Sequence, residues 1–192
     1  MARIASIQRV TKETQIDLSL DLEGGEVSIS TGIGFFDHML TAFAFYARIG
    51  LKLQVKGDLY VDGHHAVEDT GIVLGQAMKE ALGDKKGIRR FGSCFVPMDE
   101  ALTFTALYFS NRPYLVFDAP MPQERIGSYD SCLTIDFMRA FAFNAGITLH
   151  QKCHYGSNAH HITEGLFKSL GMAVRDAVKV EGEGVTSTKG ML

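Results

Sequence analysis

Two short runs occur twice in this chain of 192 residues, and in the same order. Ala42-Phe43-Ala44-Phe45 returns as Ala140-Phe141-Ala142-Phe143, and each copy is followed, after a strand-like stretch, by His-His-x-x-Glu. The first pentapeptide is His64-His65-Ala66-Val67-Glu68 and the second is His160-His161-Ile162-Thr163-Glu164. A repeat of this kind restricts the fold to one built twice from the same supersecondary unit. It divides the chain into a first half, residues 1–86, and a second half, residues 87–192, joined in one compact body.

Hydrophobic spacing supplies the unit. Ile16, Leu18, Leu20 and Leu22 alternate with polar neighbours as in a half-buried strand, and Gly24-Gly25 reads as a hairpin turn into Glu26–Ser30. Phe36, Met39, Leu40, Phe43 and Ala47 recur at helical spacing, which predicts a helix over 35–47 carrying His38. Leu51, Leu53 and Val55 restart a strand. Asp62 suits the N-cap of a helix running to Leu82, with Val67, Leu74 and Met78 inward and Gly83 ending it.

In the second half, Phe91–Val96, Ala101–Ser110 and Pro113–Asp118 read as strands, broken by Pro97 and by Asn111-Arg112-Pro113. Residues 120–130 read as a loop and 135–144 as a helix. Ile147, Leu149, Gln151, Cys153 and Tyr155 would form one face of a strand, and Asn158 would cap a last helix over 159–179. The expected architecture is α+β: a tandem duplication of a strand–strand–helix–strand–helix unit, two-layered in each half.

Composition excludes several classes. A net charge of −3 and the lack of a long basic stripe argue against a nucleic-acid partner. No apolar run approaches the roughly 18–20 residues of a membrane helix, and the first residues lack the apolar core of a signal peptide. Cys94, Cys132 and Cys153 match no metal or redox spacing. A cytoplasmic protein acting on a small molecule is the expectation.

The paired pentapeptides point to metal. Histidine and carboxylate ligate borderline divalent cations. On a helix, residues three and four apart are neighbours, so Glu68 lies beside both His64 and His65. Adjacent histidines diverge by about 100° around the axis, so each pair is better suited to feed two metals than to chelate one. Both motifs open helices, whose positive end favours the neutral, metal-binding imidazole. His38, and His150 on the strand before the second motif, offer further ligands. His154 shares the His150 face but lies about 13 Å along it. A lone histidine is more often a surface or satisfied core group; six of them with two glutamates in a repeated arrangement favour a metal site.

Basic residues stand in loops or at element ends: Arg89-Arg90, Arg112, Lys168 and Lys189. Each alone reads as a solvated charge, and together they suit an anion pocket. The run Thr186-Ser187-Thr188-Lys189-Gly190 lacks the spaced glycines of a P-loop.

The runs TKET (11–14), TGIGFFDHML (31–40), DGHHAVEDTGI (62–72), GIRRFG (87–92), PMDEAL (97–102), SNRPY (110–114), FAFNAGITLH (141–150), NAHHITEGLFK (158–168) and STKG (187–190) resemble the imidazoleglycerol-phosphate dehydratase family over nearly the whole chain. The resemblance implies a duplicated unit of the ribosomal-protein S5 domain 2-like type. It implies a hydro-lyase of histidine biosynthesis that dehydrates D-erythro-imidazole glycerol phosphate to imidazole acetol phosphate. It also implies Mn2+, two per subunit at sites shared between subunits, and a homo-oligomer of 24 subunits built from trimers.

By matching position, the resemblance places metal ligands at His38, His64, His65, Glu68, His150, His160, His161 and Glu164. Substrate and phosphate contacts fall on Glu13, Arg90, Arg112, Lys168, Ser187 and Lys189, and the catalytic acid/base on Glu13. Tyr46, Gly63 and Thr186 depart from the family's frequent His, Asp and Pro without removing an assigned ligand. Two other classes fit parts of the pattern: a metal-assembled scaffold without turnover, and a nucleic-acid module of the S5 type, which the charge disfavours.

Overall fold

The computed structural model describes residues 3–185 and 187. The first half runs β1 (Ile4–Val10), β2 (Thr14–Asp21), β3 (Val27–Ser30), α1 (Gly34–Ala47), β4 (Gly50–Gly57) and α2 (His64–Leu82). The second runs β5 (Phe91–Met98), β6 (Ala101–Phe109), β7 (Tyr114–Asp118), a short hairpin of β8 (Arg125–Ile126) and β9 (Tyr129–Asp130), α3 (Leu133–Ala145), β10 (Ile147–Tyr155) and α4 (Ala159–Ala177).

The two sheets have the same order, β1-β2-β4-β3 and β5-β6-β10-β7. In each, the first three neighbours pair antiparallel and the last pair is parallel. The fold is thus the duplicated two-layer α+β unit, with three strands rather than two ahead of the first helix. Gly24-Gly25 does not close a hairpin, because β4 is inserted between β2 and β3. Both glycines have positive φ and carry the chain over Gly50, whose own added Cβ would lie 2.8 Å from the Gly24 carbonyl oxygen.

Other differences have equally local causes. Pro97 does not end β5, an edge strand whose free side needs no N–H donor. Tyr155 leaves the inner face of β10 because the pairing with β6 slips between Cys153 and Tyr155. The 120–130 loop contains the β8–β9 hairpin, which seats Tyr129 in the core.

Helices lie between the sheets. α2 covers β1 and β2, α4 covers β5 and β6, and across the middle α1 packs on α4 and α2 on α3. These crossings bring backbones close. A Cβ on Gly75 of α2 would lie 2.7 Å from the Phe141 carbonyl oxygen of α3, and one on Gly171 of α4 would lie 2.6 Å from that of Phe43 on α1. Phe43 and Phe141 are the matching residues of the doubled Ala-Phe-Ala-Phe run. Around the crossings Phe36, Phe43, Phe137, Phe141 and Phe167 are fully buried, each contributing about 1.5–3 kcal/mol of transfer free energy.

The outer sheet faces differ. The first carries Ser6, Gln8, Asp17, Lys52 and Gln54, whereas the second carries Phe91, Phe95, Phe104, Tyr108 and Tyr114. Phe95 is 57% exposed and Tyr114 61%.

Candidate metal centre

Both His-His-x-x-Glu runs sit at helix starts; Asn158 is the N-cap of α4, whereas the N-cap of α2 is Gly63, one residue after the expected Asp62. The Asp62 carboxylate accepts from the His64 N–H at 2.7 Å. The Asn158 side chain accepts from His160 N–H at 2.9 Å and His161 N–H at 3.3 Å. This fixes the first turn and sends adjacent histidines apart, with ring centroids separated by 6.1 Å at 64/65 and 6.0 Å at 160/161.

His38, His160 and Glu164 converge. Each offers a ligand atom, and these atoms lie within 4.8 Å of one another. His160 Nε2 is 3.2 Å from Glu164 Oε2, and His38 Nε2 is 3.7 Å from Glu164 Oε1. The α1–α4 crossing makes the meeting possible, and Phe35 packs edge-on to His160 at 4.9 Å. Burial pushes the Glu164 carboxyl up, but the Lys168 hydrogen bond and charge, joined by His38 and His160, hold it below its usual value. Lys168 Nζ sits 2.8 Å from Glu164 Oε1 and 5.4 Å from the Tyr46 ring.

The other ligand positions lie in different settings. His64 stands between two carboxylates, with Nε2 3.7 Å from Glu68 and Nδ1 3.7 Å from Asp136 of α3. His65 Nδ1 is 3.1 Å from Asp58, and its Nε2 is 3.8 Å from Glu13. His161 Nδ1 is 2.6 Å from Glu100, and its Nε2 is 3.8 Å from Asp99. The helix N-terminus would push these imidazoles down, yet His65 and His161 are shifted up. The hydrogen bond to Asp58 raises the first and that to Glu100 raises the second, against a smaller effect of burial. Glu100 is drawn down to about 2 by His161, with the Asn158 and Ser157 N–H groups adding to it.

His150 joins neither cluster. It lies exposed on the outer face of β10, opposite Ala106 and Val116, without a hydrogen bond or ion pair among the described residues. His154, on the same face, packs 5.5 Å from the Phe95 ring.

The basic residues also divide. Arg90, buried at positive φ, donates from Nε to the Phe109 carbonyl at 2.9 Å and lies over the Tyr108 ring at 5.4 Å. Arg112 donates to the Tyr108 hydroxyl at 2.9 Å. Lys168 touches Met98, at the other end of β5 from Arg90, which is roughly 26 Å away along the strand direction. One chain therefore does not bring Lys168 and the two arginines onto the same small anion. Ser187 donates its N–H to Val185, on a tail tied to Gly87 through the Gly184 carbonyl. Lys189 lies outside the described residues.

Four carboxylates beside the histidines were not singled out from sequence: Asp58, Asp99, Glu100 and Asp136. Two were within reach of the repeat. Glu100 ends the β5–β6 turn as Glu13 ends the β1–β2 turn, and Asp136 holds the place in α3 that His38 holds in α1. Asp58, in a loop, has no such signal.

Comparison with known proteins follows the same lines. The family model described as imidazoleglycerol-phosphate dehydratase matches residues 31–174. A curated imidazoleglycerol-phosphate dehydratase of Acetivibrio thermocellus is 57% identical over 195 residues, covering 100% of both chains. That of Bacillus thuringiensis strain Al Hakam is 53% identical over 193 residues, 99% of this chain and 100% of its own. Among solved structures, the enzyme from Staphylococcus aureus superposes with a TM-score of 0.85 at 37% identity, over 92% of this chain and 99% of that one. The one from Pyrococcus furiosus gives 0.86 at 41% identity, over 97% and 100%.

Proposed function

We propose a complete reaction on one premise: the chain belongs to the imidazoleglycerol-phosphate dehydratase family, and as such is a hydro-lyase of the dehydration step in histidine biosynthesis. The substrate in this reading is D-erythro-imidazole glycerol phosphate, the products are imidazole acetol phosphate and water, and the resident cations are Mn2+, two per subunit. The carrying observation is the convergence of His38, His160 and Glu164 within 4.8 Å. Two imidazoles and a carboxylate form a mixed donor set that suits a divalent first-row metal. A cation held there supplies Lewis acidity at a substrate ring nitrogen, which matters because no carbonyl is present to absorb charge when the adjacent carbon loses its proton.

The remaining chemistry belongs to the chain's own groups. Glu13 is the acid/base of this reading: it takes the C2 proton, and the C3 hydroxyl leaves with a proton as water. Its side chain is half exposed beside His65, as that of Glu68 is beside His64, and in this reading Glu68 and Glu164 are taken up as metal ligands. Lys168 lies next to the cluster and suits the substrate phosphate. Arg90, Arg112, Ser187 and Lys189 would close the phosphate end of a neighbouring subunit's site, in keeping with the strand-length separation inside one chain.

The same reading makes the protein a homo-oligomer with shared sites, up to 24 subunits built from trimers, working in the cytoplasm. His65 and His161 support it, since each has Nδ1 held by a carboxylate and keeps Nε2 as a ligand for a site outside its own cluster. So does the aromatic outer face of the second sheet, a large apolar patch of the kind that marks an interface.

The test is chelation. Metal-stripped protein should fall to smaller oligomers and lose dehydratase activity, with added Mn2+ restoring both. Full activity in stripped protein would overturn the reading. Restored assembly without turnover would point instead to a metal-assembled scaffold.

A further inference from the structure

We infer that Asp69 and Thr14 are positioning residues for the proton transfer: with Thr11 they hold from behind the turn that carries Glu13, so that the Glu13 carboxylate itself stays free. This rests on the acid/base reading of Glu13 above and deepens it, since neither Asp69 nor Thr14 has a part in the metal or substrate contacts of that reading.

Glu13 lies in the turn between β1 and β2, and its side chain is half exposed. Turns at a surface are ordinarily mobile. Here the backbone is tied on both sides of the glutamate. Its N–H donates to Thr11 Oγ1 at 3.1 Å, and its carbonyl accepts from the Asp58 N–H at 3.1 Å. The Thr14 N–H donates to the same Thr11 oxygen at 2.9 Å. One hydroxyl oxygen therefore accepts twice, which uses both of its lone pairs. Its own proton goes to Thr14, whose hydroxyl oxygen lies 3.2 Å away and whose carbonyl oxygen lies 3.4 Å away.

Asp69 sets the direction of this chain of bonds. Its Oδ1 accepts from Arg9 Nη2 at 3.1 Å, and its Oδ2 accepts from the Thr14 hydroxyl. With that proton committed to Asp69, the Thr14 oxygen is left as an acceptor for Thr11. Thr14 is 3% exposed and Asp69 7%, so the link is made out of reach of bulk water. Without Asp69 the Thr14 hydroxyl would turn to Thr11 and compete with the Glu13 N–H for its lone pairs.

The other half of the chain has the glutamate and none of its supports. In the register of the repeat Glu13 falls on Glu100, while Arg9, Thr11, Thr14 and Asp69 fall on Val96, Met98, Ala101 and Gly165. Strand pairing keeps this register: Arg9 faces Ile16 as Val96 faces Thr103. Gly165 has no space for a side chain, because its Cβ would lie 2.8 Å from Thr103 Oγ1. That turn is held through the glutamate's own oxygens, which meet the Ser157 and Asn158 N–H groups and His161. A turn can be fixed by its carboxylate or from behind it, and the second way leaves the carboxylate able to move a proton.

The experiment is steady-state kinetics of the assembled protein, with bound metal and oligomeric mass measured for every variant. Thr14→Val, which keeps the shape and removes the hydroxyl, and Asp69→Asn should each lower kcat roughly 10- to 100-fold, the scale of a misplaced reacting group. KM should move less than about threefold, and bound metal and mass should match the parent. Thr14→Ser restores the hydroxyl and should recover most of the lost kcat. Introduced into Glu13→Gln, Thr14→Val and Asp69→Asn should cause little further loss, because they act through the carboxylate already removed. Losses that multiply in full in the Glu13→Gln background would overturn the assignment, as would parental kcat in both single variants. Loss of bound metal in step with kcat in Asp69→Asn would also overturn it, routing the effect through Glu68. Near-normal turnover in Glu13→Gln alone would instead remove the acid/base reading itself.

Discussion

Gly171→Ala separates two effects that usually run together. In an ordinary helix interior, replacing glycine by alanine stabilises by about 1 kcal/mol, because glycine loses more backbone freedom on folding. Gly171 lies in the middle of α4 and has no positive φ, so propensity alone favours the change. Space forbids it. The new Cβ would lie 2.6 Å from the Phe43 carbonyl oxygen, 3.1 Å from the Ala47 nitrogen and 3.2 Å from the Tyr46 Cβ. Two of these are backbone atoms in α1, so relief requires the helices to part by several tenths of an ångström.

Overpacking of this kind costs about 1–3 kcal/mol, which offsets the propensity gain and leaves a net loss of up to about 2 kcal/mol. In a chain of this length that lowers the melting midpoint by roughly 4–8 °C, measured on metal-free protein at fixed concentration. The same displacement separates His38, on α1, from His160 and Glu164, on α4. Ligand distances hold within about 0.2 Å in working sites, so metal affinity at the His38, His160 and Glu164 cluster should fall. Gly75→Ala should destabilise similarly but leave that cluster in place, since its contacts are with α3. A melting midpoint above the parent's would refute the close-crossing account, and unchanged metal affinity in Gly171→Ala, or equal weakening in Gly75→Ala, would refute its link to the metal.

Two further outcomes follow from the site and the surface. Glu13→Gln should keep metal and substrate binding while turnover falls by about 100-fold or more, the usual worth of a positioned acid/base; near-normal turnover in steady-state assays removes Glu13 from that role. Phe95→Ser should leave the chain folded by circular dichroism, because the ring is largely exposed, yet reduce the assembled mass in sedimentation; an unchanged mass would take that face out of assembly.

Local features of the fold were legible because they are written at short range. Phe36, Met39, Leu40 and Phe43 spell out α1, Asn158 announces the helix it caps, and Asp62, one residue ahead of the α2 N-cap, still accepts from that helix's first N–H. Strand order was not, since pairing of β3 with β4 is decided by a crossover rather than by the Gly24-Gly25 turn between β2 and β3. The histidines were visible, and so was their divergence within each pair. Their partners were harder to see: Asp58 and Glu100 approach from loops and turns whose position depends on the finished sheets. The anion-binding set reads as one group in sequence, but β5 keeps Lys168 and Arg90 apart.

Duplication also explains why one hairpin glutamate and not the other is suited to proton transfer. Glu13 and Glu100 close equivalent turns, before β2 and β6, and each faces the second histidine of its half. Glu100 accepts from the Ser157 and Asn158 N–H groups through one oxygen and meets His161 at 2.6 Å through the other. Those bonds favour the ionised form and hold the group near 2, and they occupy both of its oxygens. It is committed to holding the entry of α4 and the orientation of His161. Among the described residues, the Glu13 carboxylate meets one charged neighbour, His65, at 3.8 Å, beyond hydrogen-bond length. A general base must be able to accept a proton and pass it on, which requires a carboxylate not already bound from several sides. The two halves thus share the same turn, and the hydrogen bonds around Glu100 set it apart from Glu13, the acid/base of the proposed reaction.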